Sequence, residues 1–124
     1  MKLTIRGAQK KLTTLWSTIG REDAECEVCL TLPMSERYSY TKLDSHHLIG
    51  KKNKALKWNL RNRVWLCFSH HTGSNLSAHN DSKWFLDWFA ENRPEDWEYI
   101  LVEKNKIYKR TLDDYLDLIK SLEK

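Results

Sequence analysis

The sequence lacks several features that would each point to a particular class of protein. Its 124 residues include only four glycines and two prolines and contain no internal repeat or low-complexity tract, so no linker between domains is predicted. The longest apolar run, 64–68, is far shorter than the roughly 20 residues that cross a bilayer, and the polar start, 1–7, does not resemble a signal peptide. We therefore expect a single domain over 1–124 that stays in the cytoplasm and has no membrane partner.

Cysteine is also scarce, with three in the chain. An odd number in a reducing compartment argues against a disulfide framework and favours metal binding. Cys26 and Cys29 form one pair with a two-residue gap, and Cys67 and His70 form another. Because such gaps let a tight turn present both ligands to one tetrahedral ion, this Cys₃His set predicts a structural zinc. The alternative is a lost site in which Cys67 is an ordinary buried strand residue.

Acidic residues are absent from the middle of the chain. Residues 45–80 carry six Lys or Arg and no Asp or Glu, a net charge of +6, whereas 1–44 and 81–124 carry +1 and −3. All five histidines lie in this acid-free segment: His46, His47, His70, His71 and His79. A basic stretch alone is typical of a solvated surface, but one that contains every histidine indicates a metal centre that approaches phosphate.

The apolar pattern predicts an α+β protein with strands only in its middle. Helical spacing of apolar residues predicts an N-terminal helix over about 8–19 that Gly20 closes. Two short strands are predicted, one within 38–49 and one at 64–66, and a long polar loop from 50 to 62 separates them.

Helical signals fill the region from about 82 to 122. Asp81 can cap one helix, Pro94 can begin a second, and Thr111 begins a capping-box-like sequence for a third. Most of the six tryptophans fall on apolar helix faces, so we interpret them as core residues without a chemical role.

Three of the four histidines outside the predicted zinc site are adjacent to another histidine, at 46–47 and 70–71. His71 follows His70 at a predicted helix start, where adjacent side chains point about 100° apart, so His71 can face a neighbouring cleft. His46 and His47 end the first predicted strand, where successive side chains point to opposite faces. One of these two can bind an ion while the other faces a substrate. The pattern predicts two metal sites back to back.

Three segments carry a resemblance to a known family. Asp-Ser-His-His-Leu-Ile-Gly at 44–50 is followed by Asn62 and by Leu-Cys-Phe-Ser-His-His at 66–71. This arrangement resembles the motif of HNH endonucleases, also called the His-Me finger or ββα-metal fold. More broadly, residues 21–122 resemble phage-borne HNH proteins related to the recombination nuclease NinG. The chain departs from them at His70, where NinG-type proteins have Cys, and at the next histidine, where many relatives have Asn.

The resemblance implies a ββα-metal core over about 26–80 that includes the zinc knuckle, flanked by the N-terminal and C-terminal helices. It implies a phage-encoded, metal-dependent endonuclease that hydrolyses DNA in recombination or DNA processing, in the cytoplasm of a bacterial host. Zinc would fill the structural site. One divalent ion would serve catalysis, and neutral imidazole ligands favour Mn²⁺, Ni²⁺, Zn²⁺ or Co²⁺ over Mg²⁺.

The resemblance also assigns roles to single residues. His47 corresponds to the general base that takes a proton from the attacking water, although His46 could exchange roles with it. Asn62 corresponds to the residue that bonds backbone across the loop and orients the base, with Asn59 as a nearby competitor. The ligands of the catalytic ion would be His46, His71 and His79.

Two of these assignments have simpler alternatives. His79 could cap a helix or lie free on the surface, and Asp44 could either join the metal shell or be an exposed carboxylate at a strand end. The loop after the predicted base carries cations that can bind backbone phosphates without reading sequence. The predicted phosphate contacts are Lys51, Lys52, Lys54 and Arg61. Trp58 is interpreted as an anchor of this loop.

Two other functions use parts of the same sequence. A non-catalytic, zinc-stabilised DNA-binding module needs the Cys₃His set and the basic loop, but it has no use for the remaining histidines at nuclease spacing. A protein-interaction domain would use the acidic C-terminal helices as its contact surface. The excess of histidine favours the nuclease.

Overall fold

The computed structural model describes residues 3–124, and Met1 and Lys2 lie outside the described part of the chain. Within it, helices surround a two-stranded sheet, so the α+β class is confirmed. The elements are α1 (Ile5–Thr18), α2 (Glu27–Leu30), β1 (Asp44–His47), β2 (Arg63–Leu66), α3 (Ser82–Asn92), α4 (Pro94–Glu103) and α5 (Leu112–Glu123). Short 3₁₀ turns occur at Arg21–Asp23, Met34–Glu36 and Leu60–Asn62, and a π-helical turn covers Ser69–Gly73.

The helix ends follow from their sequences. Gly20, just beyond α1, has a φ of 83°, in the left-handed region that favours glycine. The Asp81 carboxylate accepts a hydrogen bond from the backbone of Trp84 and begins α3, and Pro94 is the first residue of α4. At α5, Thr111 and Asp114 form the reciprocal bonds of a capping box. These helix starts were predicted.

The sheet is antiparallel and pairs Asp44 with Leu66 and His47 with Arg63. Because side chains alternate along a strand, Asp44 and His46 share one face of β1 and His47 lies on the other. The strand pair therefore divides the predicted site residues between two faces.

β1 is shorter than the strand predicted within 38–49. The tyrosines before it contact the cysteine-rich region instead of a neighbouring strand. The Tyr40 hydroxyl accepts a 2.8 Å hydrogen bond from the backbone nitrogen of Cys26, and the Tyr38 ring meets the His70 ring edge-on at 5.1 Å between centroids. Alternation of apolar residues before Asp44 therefore reflects contacts with this region and not strand pairing.

The described residues form two apolar clusters. The first joins the sheet to α3 and α4 and includes Val64, Phe85 and Phe89. The second joins α1 to α5 and includes Trp16 and Trp58. Trp58 is buried, and its indole N–H donates to the Thr13 hydroxyl at 3.1 Å, so it anchors the loop as predicted. No helix within 3–124 has both the length and the apolar character needed to span a membrane.

Candidate metal centre and nucleic-acid interface

The four residues predicted to bind zinc form one buried cluster, here called the Cys₃His cluster: Cys26, Cys29, Cys67 and His70. His70 Nδ1 lies 3.5 Å from each of the three sulfur atoms. Ligand atoms around a tetrahedral zinc lie roughly 3.5 to 3.8 Å apart, given Zn–S and Zn–N bonds of about 2.3 and 2.0 Å. The donor set and its spacing therefore fit a metal ion such as zinc.

The elements that hold these ligands are short turns. Cys26 directly precedes α2 and Cys29 lies within its single turn, whereas Cys67 follows β2 and His70 lies in the π-helical turn. Burial raises the pKa of Cys67 to about 12. Burial also acts to raise the pKa of Cys26, but hydrogen bonds with His70 and with nearby backbone outweigh this effect and lower the pKa of Cys26 to about 7. Three adjacent thiols ionise together only with a cation among them, so a metal ion would displace protons here.

A second cluster, here called the three-histidine cluster, contains His46, His71 and His79. Their ligand nitrogens lie within 4.8 Å of one another, and Nε2 of His71 is 3.2 Å from Nε2 of His79. His46 and His71 are half-buried, while His79 is exposed. The structure thus brings together the three histidines that the resemblance assigned to the catalytic ion.

Backbone hydrogen bonds place His79 beside residues that precede it by eight positions. The nitrogen of Ala78 donates to the oxygen of His70 at 2.8 Å, and the nitrogen of His79 donates to the oxygen of His71 at 3.1 Å. The Phe68 ring packs against the π-helical turn at Gly73, where a Cβ would overlap that ring. One turn therefore holds a ligand of each cluster and also the segment that supplies His79.

Asp44 lies directly behind His71. Its Oδ2 is 3.0 Å from His71 Nδ1. A carboxylate accepts, so Nδ1 carries the proton and Nε2 presents its lone pair toward His79. Burial, followed by repulsion from His71 and His79, lowers the pKa of His46 to about 3, which keeps its ring neutral. A neutral imidazole is the form that binds metal ions.

His47 lies on the opposite face of β1, against α1. Its ring stacks on Trp16 with 3.7 Å between centroids and 12° between planes, and its Nε2 is 2.9 Å from the carbonyl oxygen of Lys57. Because a carbonyl oxygen only accepts, Nε2 carries the proton and Nδ1 is the basic nitrogen. Burial lowers the pKa of His47; the bond to Lys57 opposes this change, and the charges of Lys51 and Lys57 reinforce it.

Trp16 is a site residue that sequence reasoning missed, because it was interpreted only as part of an apolar helix face. Its indole N–H donates to the oxygen of Asn59 at 2.8 Å, and its own carbonyl oxygen accepts from Arg63 at 2.7 Å. These bonds fix the plane on which the His47 ring rests. No spacing in the sequence links Trp16 to His47, since they lie in separate elements.

Asn62 is fully buried and bonds backbone across the loop. Its Oδ1 accepts from the nitrogen of Ile49 at 2.8 Å, and its Nδ2 donates to the oxygens of Ile49 and Leu56 at 2.9 and 3.2 Å. Asn59 instead accepts from Arg61 and donates to the Tyr99 hydroxyl. Of the two, Asn62 is the one that joins both ends of the loop after His47.

The predicted phosphate contacts differ in their surroundings. Lys51, Lys52 and Lys54 are exposed, and none forms an ion pair within residues 3–124. Arg61 is held by α4, because its Nε lies 2.6 Å from Asp96 Oδ1 and its guanidinium covers the Tyr99 ring at 4.1 Å. Arg61 is thus paired with a carboxylate that Arg93 shares, whereas the three lysines form no ion pair in the described residues; the Arg61 side chain remains 44% exposed, and its predicted phosphate contact stays a prediction.

Comparison of the chain with protein-family models, curated proteins and solved structures gives no significant match. The function is therefore inferred from the geometry of the site. That geometry combines a closed Cys₃His cluster, an open three-histidine cluster and an oriented imidazole beside lysines that form no ion pair in the described part of the chain. Such an arrangement can hold an ion, move a proton and attract an anion.

Proposed function

We propose that this protein is a metal-dependent endonuclease of the HNH type that hydrolyses phosphodiester bonds in DNA. The observation that carries the proposal is the position of His46 and His47, adjacent on β1 but on opposite faces. The first belongs to the three-histidine cluster, and the second is fixed by Trp16 and Lys57. A module that only binds DNA has no use for this pair.

In this proposal His46, His71 and His79 hold one divalent ion. Bound there, the ion would polarise the scissile phosphate and stabilise the leaving oxygen. Asp44 fixes the orientation of the His71 ring through the 3.0 Å bond to Nδ1. An all-imidazole set favours Mn²⁺, Ni²⁺, Zn²⁺ or Co²⁺, since Mg²⁺ prefers oxygen ligands.

His47 is the general base. Its Nδ1 takes a proton from the attacking water, and the resulting imidazolium keeps Nε2–H on the Lys57 carbonyl as a charge-assisted bond. Trp16 lies face to face with the ring, so a cation–π interaction also favours the protonated form. Asn62 keeps the loop closed and thereby holds the Lys57 carbonyl in place.

Lys51, Lys52 and Lys54 follow the base directly in the chain and supply the phosphate contacts. Each neutralised phosphate releases condensed counterions, so DNA binding by this loop should weaken as salt rises. Contacts of this kind position the backbone over the site without reading its sequence. Sequence specificity is therefore not expected from the loop.

The test is the His47→Ala variant, assayed on supercoiled plasmid and on a synthetic four-way junction with Mn²⁺, Ni²⁺, Zn²⁺, Co²⁺ and Mg²⁺ in turn. Loss of a positioned base should lower the cleavage rate by roughly 10² to 10⁴ while DNA affinity and ion binding persist. His47→Gln is the matched control for folding, because it keeps a polar side chain against Trp16. It should also cut slowly.

Thermal melting must show that both variants are folded. A His47→Ala variant that cuts as fast as the parent would remove the base from the mechanism. A parent that cuts no nucleic acid with any of these ions would favour the DNA-binding module instead.

A further inference from the structure

The segment between α4 and α5, residues 104–110, is a second basic stretch, here called the connector. It carries four cations and no acid: Lys104, Lys106, Lys109 and Arg110. The net charge of −3 over 81–124 conceals it, because the acids of that region lie in the helices and at their ends. Ile107, in the middle of the connector, is 90% exposed, so the outer side of this segment faces solvent.

Two hydrogen bonds, one at each end of the connector, attach it to the basic loop, residues 50–62. The Asn53 side chain donates to the carbonyl oxygen of Lys104 at 2.9 Å, and Arg110 Nη1 donates to the carbonyl oxygen of Lys54 at 2.9 Å. The Arg110 guanidinium also lies 4.7 Å from the centroid of the Tyr108 ring. The fold therefore brings together two basic segments that are about fifty residues apart in sequence.

Most lysines of the two basic segments form no ion pair with the described residues. Lys106 pairs with Glu103 at 3.0 Å. Within residues 3–124, six lysines of the loop and connector form no ion pair: Lys51, Lys52, Lys54, Lys57, Lys104 and Lys109. Burial lowers the pKa of Lys57, and repulsion from Lys54 and Lys51 lowers it further, so like charges are crowded at the loop. Such crowding disfavours the isolated protein and favours a bound polyanion.

We propose that the connector is a second phosphate-binding segment, which extends the contact of the basic loop along the nucleic-acid backbone. This inference rests on the proposed function, since it names a further surface for the same substrate. Lys104 and Lys109 would contact phosphates beyond those held beside His47. The same two hydrogen bonds would give α4 and α5 a function, because these helices hold the connector, and the connector in turn holds the basic loop in position.

The experiment measures DNA affinity against salt concentration, without added divalent ion, for a fluorescent duplex and a four-way junction. The test variant is Lys104→Ala/Lys109→Ala. Lys10→Ala/Lys120→Ala is the matched control, because these two lysines are exposed on α1 and α5 and have no ion pair in the described residues. Lys104→Arg/Lys109→Arg keeps the charge.

Each lost phosphate contact lowers the slope of log affinity against log salt by about 0.9. The test variant should therefore lose about two units of slope, while the control and the arginine variant should keep the slope of the parent. Combining the test variant with Lys51→Ala/Lys52→Ala should lower the slope by about four units in total, if the four lysines hold separate phosphates.

The outcomes separate the two proposals. A test variant with the parent's slope overturns the connector proposal and leaves the nuclease proposal intact, as does an equal loss in the Lys10→Ala/Lys120→Ala control. A parent whose binding to DNA does not depend on salt overturns the connector proposal and the phosphate contacts of Lys51, Lys52 and Lys54, while the cleavage assay alone decides the nuclease proposal. A parent that binds with the expected slopes but never cuts supports the connector and contradicts the nuclease.

Discussion

The Cys₃His cluster and the three-histidine cluster share one turn, Ser69–Gly73, yet their ligands differ in exposure to solvent. All ligands of the first are buried, and its sulfurs belong to the apolar cluster that joins the sheet to α3 and α4. The second is half-buried at His46 and His71 and open at His79. A closed set suits an ion that stabilises the fold, and an open one leaves room for water and substrate.

The residues that surround the two sets of ligands also differ. Cys26 and Cys67 lie in the core, so an ion between them would connect α2 to the end of β2. In the three-histidine cluster, His71 bonds to the Asp44 carboxylate, and the His46 ring forms a T-shaped contact with the Phe85 ring. Breaking the first cluster should therefore cost stability, whereas breaking the second should cost ion binding and cleavage.

The largest effect is expected from Cys26→Ser. Structural zinc can contribute on the order of 10 kcal/mol in small domains, which is comparable with the whole net stability of a typical domain. The variant should lose its tightly held zinc and its cooperative melting transition, as measured by elemental analysis and circular dichroism after dialysis. Parent protein that contains no zinc and still melts cooperatively would contradict the structural role of this cluster.

An intermediate effect is expected from His71→Ala. Loss of a direct ligand should weaken Mn²⁺ or Ni²⁺ binding by more than about 100-fold, because loss of an indirect support already costs about 10- to 100-fold. Cleavage should fall below detection, while one zinc per chain remains and the melting temperature changes little. Calorimetry should show normal ion binding by His47→Ala, the comparison variant; equal ion binding by both would place the ion elsewhere.

The smallest effect in this series is expected from Asp44. Asp44→Ala should lower ion affinity by about 10- to 100-fold, because the His71 ring loses the bond that orients it. Asp44→Asn keeps an acceptor for Nδ1–H and should recover most of the affinity. In the Co²⁺-loaded protein, the shifted N–H proton resonance of His71 should persist in the Asn variant and vanish in the Ala variant.

A merely structural role for Asp44 would give a different pattern. Both variants would then bind ions like the parent, or both would lose affinity together with stability. Thermal melting distinguishes these cases, since neither substitution removes a ligand of the Cys₃His cluster.

Spacing was enough to predict the Cys₃His cluster and a second metal site beside it, because ligands separated by two residues on a turn and histidines adjacent on a strand have few possible directions. The helix starts at Asp81, Pro94 and Thr111 could also be predicted, since capping depends on neighbouring residues. These features are local in sequence. The choice of His46 over His47 as an ion ligand and the assignment of His79 needed the resemblance. Backbone hydrogen bonds with residues eight positions earlier bring His79 back to the turn.

Features that depend on distant packing were not predictable in this way. The stack of Trp16 on His47 joins α1 to β1, and the pairing of Arg61 with Asp96 joins the loop to α4. The extent of β1 was also overestimated, because Tyr40 alternates as a strand residue would but bonds to Cys26. Alternation of apolar residues along a segment indicates which side chains are buried, but it does not indicate which part of the protein they pack against.

The adjacency of His70 and His71 has a thermodynamic consequence. An ion bound in either cluster would restrain the same turn, so the conformational entropy that Ser69–Gly73 loses when the first ion binds would not be lost again when the second binds. Binding free energies are reciprocal, and each ion should therefore raise the affinity of the protein for the other by the same factor. If both clusters hold ions, a weak chelator that removes only the ion of the three-histidine cluster should also weaken the binding of the ion in the Cys₃His cluster, so the stability of the fold would depend on the occupancy of the open site.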